Sequence, residues 1–515
     1  MPVAKSFAVS LLGLSGTLIE VEADISSNLP NFILVGLPDA SLSESTARVR
    51  AATANAGLPL PARRITVNLS PAAVPKHGSS FDLAIAMTVL AATGSVSVVS
   101  VERWMHIGEL GLNGSIRPIR GILPMVLEAK RLGHSRFIVP FENRDEAQLV
   151  EGVELMGFDH ITQVANFHGA ELEAVGLGES GMALVAATVE RPLESRLDMS
   201  EVQGQPEAVW AMTVAAAGGH HVWLSGPPGA GKTMLAERLP SILPPLSLEQ
   251  ALETSAIHSI AGRRVTSAGD LVTTPPFEAP HHSASATALI GGGTGLPRPG
   301  AISLAHNGVL FLDEAPEFQT TTLESLRQPL EAGEVLIHRS AGSAKFPARI
   351  QLVLASNPCP CGNFGVKSKR CECAPLARNR YANKLSGPLL DRIDIQFSVS
   401  PASATAIALS RKSGLADSAK LRQQVLAARA AAAERWADTP WKLNSQLPGP
   451  YLRERSASSK AALAGLVSAL ERGRISMRGF DRCLRLAWTI ADLDGKDALS
   501  GEIIARALFL RGVND

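Results

Sequence analysis

The sequence predicts an α/β protein in three parts: an N-terminal α/β domain, a core built on a parallel sheet, and a C-terminal helical lid. Three observations predict it. Up to about residue 170, short apolar strands alternate with Ala-rich helical stretches. From about Ser200 to Ser400, apolar strands each run straight into a polar or Gly-rich turn, the pattern of a parallel sheet whose ligands sit at the strand ends. Beyond Ala402 the composition turns helical, with the Ala- and Arg-rich run Leu421 to Trp436 and amphipathic segments at Leu463 to Glu471 and Gly479 to Asp492. The expected organisation is a domain at 1–170, a linker at 171–198, a core at 199–401 and a lid at 402–515.

Composition sets limits on these parts. A chain of 515 residues has room for three or so domains, each large enough to bury its own core. Hydrophobic residues at 45% with 44 Gly and 33 Pro describe an ordered, loop-rich protein and argue against long disorder. A formal charge of +1 supplies no global field for nucleic acid, so such binding has to come from local clusters or from a pore assembled by several subunits. Of five Cys, four lie between Cys359 and Cys373, which suits a metal site in a reducing compartment better than a disulfide framework, and a cytoplasmic location is expected. No apolar run reaches the ~18 residues that span a bilayer, so no membrane partner is expected.

In the N-terminal part, Lys5 and the stretch Phe7 to Leu14 flow into the alternating Leu18, Glu20, Glu22, which reads as a first strand, not a signal peptide. Ile65 to Leu69 and Phe137 to Val139 read as further strands, and Phe81 to Ala92 and Met125 to Arg131 as helices. The core opens with the buried-strand pattern His221 to Ser225. It is followed by Gly226-Pro227-Pro228-Gly229-Ala230-Gly231-Lys232-Thr233, which fills the template G-x-x-x-x-G-K-[ST]. Glycines let the backbone curl so that N–H groups point at phosphate oxygens, and the helix opening at Lys232 turns its positive end to the same anion. Lys232 is expected to neutralise β/γ-phosphate charge of ATP and Thr233 to ligate Mg²⁺. A second apolar strand, Gly308 to Leu312, ends in Asp313-Glu314. There Asp313 is expected to hold the magnesium shell and Glu314 to orient and deprotonate the attacking water. A third buried strand, Ile350 to Ser356, delivers Asn357, either to bridge that water and the γ-phosphate or as an ordinary turn residue.

Cys359-Pro-Cys361 and Cys371-Glu-Cys373 place two close pairs around a short loop, enough for a tetrahedral site with Zn–S near ~2.3 Å. Zinc is the expected metal, with a redox pair or an unmetallated loop as alternatives. Lys367, Lys369, Arg370, Arg378, Arg380 and Lys384 surround the cysteines, opposed only by Glu372. They fit a DNA-backbone contact or a solvated charge run. Cys483, alone in an amphipathic lid helix, reads as a small buried hydrophobe.

The chain resembles the ComM/YifB-type magnesium-chelatase-like AAA+ ATPases over essentially its whole length. The resemblance is carried by Gly204-Gln205, Ala215 to Gly219, Ala279-Pro-His-His282, Ala288 to Gly293, Pro299 to Gly308, Arg327 to Glu331, Asn357 to Gly362 and Ser386 to Asp394. It implies a homo-oligomeric ring, a hexamer, with ATP between neighbouring subunits. Arg392 would then reach the next subunit's site and stabilise charge on the transferring phosphoryl group. The alternative is a surface pair with Asp391 or Asp394. Arg478 resembles the family's second sensing arginine, acting in its own or a neighbour's site. The insertion holding Gly291 to Gly295 and Arg298 is either a pore loop or a plain surface loop.

Pro75 to Ala84 and Gly108 to Pro118 resemble the proteolytic domain of Lon-type proteases. Ser80 falls at the nucleophile's place, but Leu123 stands where the activating lysine belongs, and leucine cannot take a proton. A structural or DNA-guiding domain is therefore expected. The family resemblance implies an ATP-driven DNA translocase or helicase that promotes branch migration of DNA junctions in recombination or natural transformation. The alternatives are a magnesium-chelatase motor subunit acting on a protein partner, an ATP-dependent protease, and a non-catalytic ring scaffold.

Overall fold

The computed structural model describes residues 3–37, 39–74, 76–173, 197–263, 271–293, 296–339, 342–365, 370–413, 417–456 and 461–513. Almost all of the expected linker lies outside them.

The N-terminal domain is a seven-stranded mixed sheet. Its strands are β1 (Ala4–Leu12), β2 (Ser15–Ser26), β3 (Asn31–Val35), β4 (Arg64–Ser70), β5 (Met105–His106), β6 (Arg136–Pro140) and β7 (Glu154–Phe158), in the order β3-β4-β2-β1-β5-β6-β7. The hairpin β1–β2 closes through Gly13 at φ 65°, a left-handed conformation that a tight hairpin turn demands and glycine supplies without strain. Alternation along β2 buries Ile19, Val21 and Ala23 and turns Glu20 and Glu22 outward, where both reach Lys5 Nζ, at 2.5 and 3.0 Å. Helix α1 (Asp82–Thr93) is apolar nearly all round and is buried along nearly its whole length, the environment such a helix requires. Helix α2 (Ile122–Arg131) covers the sheet beside it and buries Leu123 completely.

The core is a five-stranded sheet of β8 (Val222–Ser225), β9 (Phe277–Glu278), β10 (Val309–Leu312), β11 (Gln351–Ser356) and β12 (Ile395–Ser398), ordered β9-β10-β11-β8-β12 and parallel throughout. The first strand, β8, sits between the fourth and the last. The chain leaves it for the far edge, works back, and crosses to its other side, which makes the carboxyl end of β8 a topological switch point where α/β sheets bind ligands. Helices α3 (Pro206–Gly218) and α4 (Lys232–Ile242) pack beside it.

The lid contains α5 (Ser418–Arg435), α6 (Met477–Leu493) and α7 (Gly501–Leu510). Side chains of Asp417, Ser476 and Ser500 cap their N-termini by accepting the N–H groups of Lys420, Gly479 and Ile503. Along α6, Phe480, Cys483, Leu484, Ala487, Ile490 and Ala491 recur at helical spacing and are buried. These residues join Val222, Leu224, Leu235 and Val353 in one hydrophobic cluster, so the lid does not bury a core of its own. Helix α6 is buried on almost every side over its C-terminal half and meets the core at α3.

The joint is also polar. Asp394, 1% exposed, accepts from Arg482 Nη1 of α6 at 2.7 Å and meets His220 Nδ1 at 3.0 Å, and His220 Nε2 meets Thr489 Oγ1 at 2.8 Å. Burial alone would raise the Asp394 pKa, but Arg482, then His220 and Arg485, outweigh it and hold the carboxyl well below the usual carboxylate range. The N-terminal domain touches the core where Gly121 N donates to Ser259 O at 3.2 Å and where the Gly13 turn abuts the backbone of Lys345. Among the described residues no helix is long and apolar enough to cross a membrane.

Candidate nucleotide site and cysteine cluster

Gly226 to Thr233 link β8 to α4 at the switch point. Gly229 and Gly231 take φ 77° and 87°, and Gly231 caps α4, so the loop curls over the positive end of that helix. Lys232 is 8% exposed, and its Nζ donates to Gly226 O at 2.7 Å, Pro227 O at 3.1 Å and Asn357 Oδ1 at 3.1 Å. Burial lowers its pKa, and Asp313 and Glu314 partly offset that. Behind the loop, Gln205 Nε2 donates to Ala230 O at 2.7 Å and Ser400 O at 2.9 Å, fixing the loop to the exit of β12.

Asp313 and Glu314 leave the end of β10, two strands from β8. Thr233 Oγ1 donates to Asp313 Oδ2 at 2.9 Å, so a hydroxyl and a carboxylate converge beside the phosphate loop. That pair of hard oxygen donors next to an anion cradle fits Mg²⁺ carried by a nucleoside triphosphate. Glu314 adopts φ 48° and ψ 44°, costly for a non-glycine residue, and its N–H donates to Asp313 Oδ1 at 2.9 Å. Its exposed carboxylate points outward, with His282 Nδ1 3.6 Å away.

Asn357 follows β11 directly and is two residues from Cys359. The Sγ atoms of Cys359, Cys361, Cys371 and Cys373 all lie within 4.8 Å of one another, with Cys359–Cys361 at 3.4 Å and Cys371 at 3.7 Å from each of these two. A tetrahedron with Zn–S near ~2.3 Å has edges of about 3.8 Å, whereas a disulfide needs about 2.05 Å. The cluster thus fits a tetrahedral thiophilic ion and holds no disulfide. Phe364 N donates to Cys359 Sγ at 3.3 Å. Of the basic residues around it, Arg378 lies 4.2 Å over the Phe364 ring and Lys384 pairs with Glu317 at 3.7 Å. Arg370 and Arg380 are exposed, and Lys367 and Lys369 fall outside the described residues.

Arg392 and Arg478 lie elsewhere. Residues that begin strands, among them His221, Gly308, Gln351 and Asp394, line a cavity of ≈ 840 Å³ together with Arg392 and Glu331. It is at the opposite end of the parallel sheet from the phosphate loop. Arg392 forms an ion pair with Glu331, donates Nη1 to Pro388 O at 2.6 Å, and keeps a buried Nε without a partner. The expected alternative of a pair with Asp391 or Asp394 is corrected: Asp394 is taken by Arg482 and His220, and Asp391 faces Arg478 Nη1 at 3.5 Å. Arg478 is thereby set beside Arg392 on the same end of the core, 73% exposed. Arg298 is exposed on the short ladder Gly291–Gly292 with Arg298–Pro299, and Gly295 lies outside the described residues. Cys483 is fully buried.

In the N-terminal domain Leu123 is inside the core and Ser80 O accepts from Gly108 N at 3.0 Å. The nearest basic side chains in sequence are committed elsewhere: buried Lys76 donates to Pro71 O, and His77 Nδ1 faces Asp39 Oδ2 at 3.3 Å. Sequence reasoning gave no role to Gln205, His282 or Tyr381. Tyr381 is 6% exposed, and burial with help from Glu317 pushes its hydroxyl up to about 12, an effect that the nearby Asn357 backbone partly offsets. A lone tyrosine in a basic run carries no signal of such a role.

A phosphate loop at the switch point, a carboxylate pair two strands away and a helical lid define the class as an AAA+ ATPase. Models of magnesium chelatase subunit ChlI match residues 21–143 and 198–407, and a model of its C-terminal part matches residues 416–511. An uncharacterized protein of Mycobacterium tuberculosis is 47% identical over 513 residues, covering 99% of each chain. YifB of Escherichia coli is 39% identical, covering 98% of this chain and 96% of its own, and Competence protein ComM of Haemophilus influenzae is 37% identical, covering 100% and 98%. The chain belongs to the ComM/YifB-type magnesium-chelatase-like family. A Lon protease of Mycolicibacterium smegmatis is 31% identical over 33% of this chain and 22% of its own, in keeping with the Lon-like α/β fold of the N-terminal domain.

Proposed function

We propose that the protein is a ring-forming, ATP-driven DNA translocase that promotes branch migration of DNA junctions. The observation that carries the ATP part is the convergence of Lys232, Thr233, Asp313 and Asn357 on one phosphate loop. The DNA part is supported by full-length similarity to a protein named for competence.

In this reading Lys232 exchanges its carbonyl partners for β/γ-phosphate oxygens. Thr233, with Asp313 behind it, would hold Mg²⁺, which would supply charge neutralisation on the phosphates. Glu314, outward on its left-handed turn, accepts the proton of the attacking water as the γ-phosphoryl group leaves ADP. Asn357, released by Lys232, orients that water. Arg392 and Arg478 sit at the far end of the sheet from their own phosphate loop, which supports action on a neighbour's nucleotide and hence a ring, taken as a hexamer. Zinc at the four cysteines supplies no reaction step. Lys76 and His77 are both engaged away from Ser80, which favours a non-proteolytic N-terminal domain.

The test is a branch-migration assay on a synthetic three- or four-stranded junction with ATP, beside Glu314→Gln. The active protein is expected to resolve junctions, and Glu314→Gln to bind ATP without moving DNA. Strand displacement by Glu314→Gln would overturn the mechanism. ATP hydrolysis that DNA neither stimulates nor couples to movement would favour the second reading, a chelatase-type motor on a protein partner, which the ChlI matches support.

A further inference from the structure

The four-cysteine cluster touches the nucleotide site at three places. Gly362, at φ +76°, lies directly on the phosphate loop: a Cβ there would stand 2.5 Å from Pro228 Cδ and 2.6 Å from its Cγ. On the entering side, two peptide units separate Asn357 from Cys359, at most about 7 Å of chain. On the leaving side, the helix Pro375–Ala382 begins two residues after Cys373 and carries buried Tyr381, whose hydroxyl is near enough to the Asn357 backbone and to Glu317 for both to act on its pKa. Lys384, just beyond, reaches Glu317 in the turn that follows Asp313 and Glu314. The described residues 357–365 and 370–384 therefore leave the site through Asn357, pass Pro228 at Gly362, and come back to Asn357 and the carboxylate turn.

Among the described residues Arg378 over the Phe364 ring and Lys384 on Glu317 add surface contacts, and the cysteines are the crosslink that a bound ion would make rigid. Four sulfurs within 4.8 Å make little cohesion by themselves, because thiol hydrogen bonds are weak and thiolates repel. A divalent thiophilic cation converts them into one rigid node. We propose that zinc bound by Cys359, Cys361, Cys371 and Cys373 is a strut of the ATP site, pressing Gly362 on Pro228 and fixing Asn357, with Tyr381 as the positioning residue between node and site. Metal occupancy then sets the rate of ATP hydrolysis, and the cluster serves the motor's chemistry in place of gripping DNA. The inference rests on the ATP-hydrolysis reading above.

The test uses the full-length protein without DNA. Zinc content, affinity for a fluorescent ATP analogue and ATP turnover are measured for the wild type before and after chelator stripping, and for Gly362→Ala, Tyr381→Phe and Glu314→Gln. Expected are one zinc per chain, a fall in turnover that tracks zinc loss, and recovery when zinc alone is restored. Gly362→Ala keeps its zinc and binds the analogue about tenfold more weakly, as a displaced Pro228 would cause. Tyr381→Phe keeps zinc and analogue affinity while turnover drops about fivefold, as removing the hydroxyl beside the Asn357 backbone would cause. The proposal is overturned if the protein binds no zinc, if stripped protein hydrolyses ATP at the full rate, or if Gly362→Ala and Tyr381→Phe both match the wild type. Full turnover by Glu314→Gln would instead overturn the ATP-site reading, so the two failures are distinguishable.

Discussion

Lys232 is an ammonium held inside a loop by three oxygens, and its burial lowers its pKa. A group held in that way is poised to exchange neutral carbonyls for phosphate, because a charge-assisted bond to an anion is stronger than one to a carbonyl. Lys232→Ala should weaken nucleotide binding about a hundredfold, the loss of about 3 kcal/mol of charged hydrogen bonding, read by titration with a fluorescent ATP analogue. Undiminished affinity would remove the lysine from the site. Glu314 contrasts with it: it is exposed on a strained turn, and as the water's base in the proposed mechanism its substitution is expected to separate binding from turnover.

Among elements, helices α5 and α6 join the lid to the core. The buried side chains of α6 pack on α3, α5 and α7, and its Arg482 and Thr489 reach Asp394 and His220 at the root of β12 and β8. Asp394→Asn leaves the guanidinium of Arg482 facing a neutral amide in a buried place and should cost about 3–5 kcal/mol, measured by urea denaturation at neutral pH. The sign with pH follows from the depressed folded pKa. The unfolded chain takes up the proton first, near the usual value of about 3.9, so Asp394's contribution is present above that pH and is lost as pH falls toward the lower folded value. The gap between wild type and Asp394→Asn should therefore shrink below about pH 4. A gap unchanged with pH would mean that the charge contributes nothing.

At the scale of the whole molecule, the phosphate loop and Arg392 occupy opposite ends of one sheet. A chain so built cannot bring both to one nucleotide without a second copy. Lys232→Ala and Arg392→Ala should each abolish ATP turnover alone. Mixed subunits should regain part of it, because an interface can pair an intact loop with an intact arginine. Assembly is read by light scattering in the same samples. Mixtures that assemble yet stay inactive would place Arg392 outside the neighbour's site.

Much of this was legible in the residues. Strand periodicity, glycines where the backbone must turn left-handed, and carboxylates at the tip of an apolar strand are local patterns, and local patterns determined the α/β class, the phosphate loop, the Asp313–Glu314 pair and the paired cysteines. What the sequence could not determine depends on chain segments far apart in number. Arg392 took Glu331, sixty-one positions away, in place of its neighbours, because Asp394 had already been claimed across the sheet by His220 and Arg482. The lid proved to share the motor's core, since a stripe on α6 does not say what covers it. Gly362 met Pro228 and Tyr381 met Asn357 only when the loop between β11 and β12 folded back over the site. Periodicity is a property of a segment, whereas partnership is decided by which segments the closed sheet brings together.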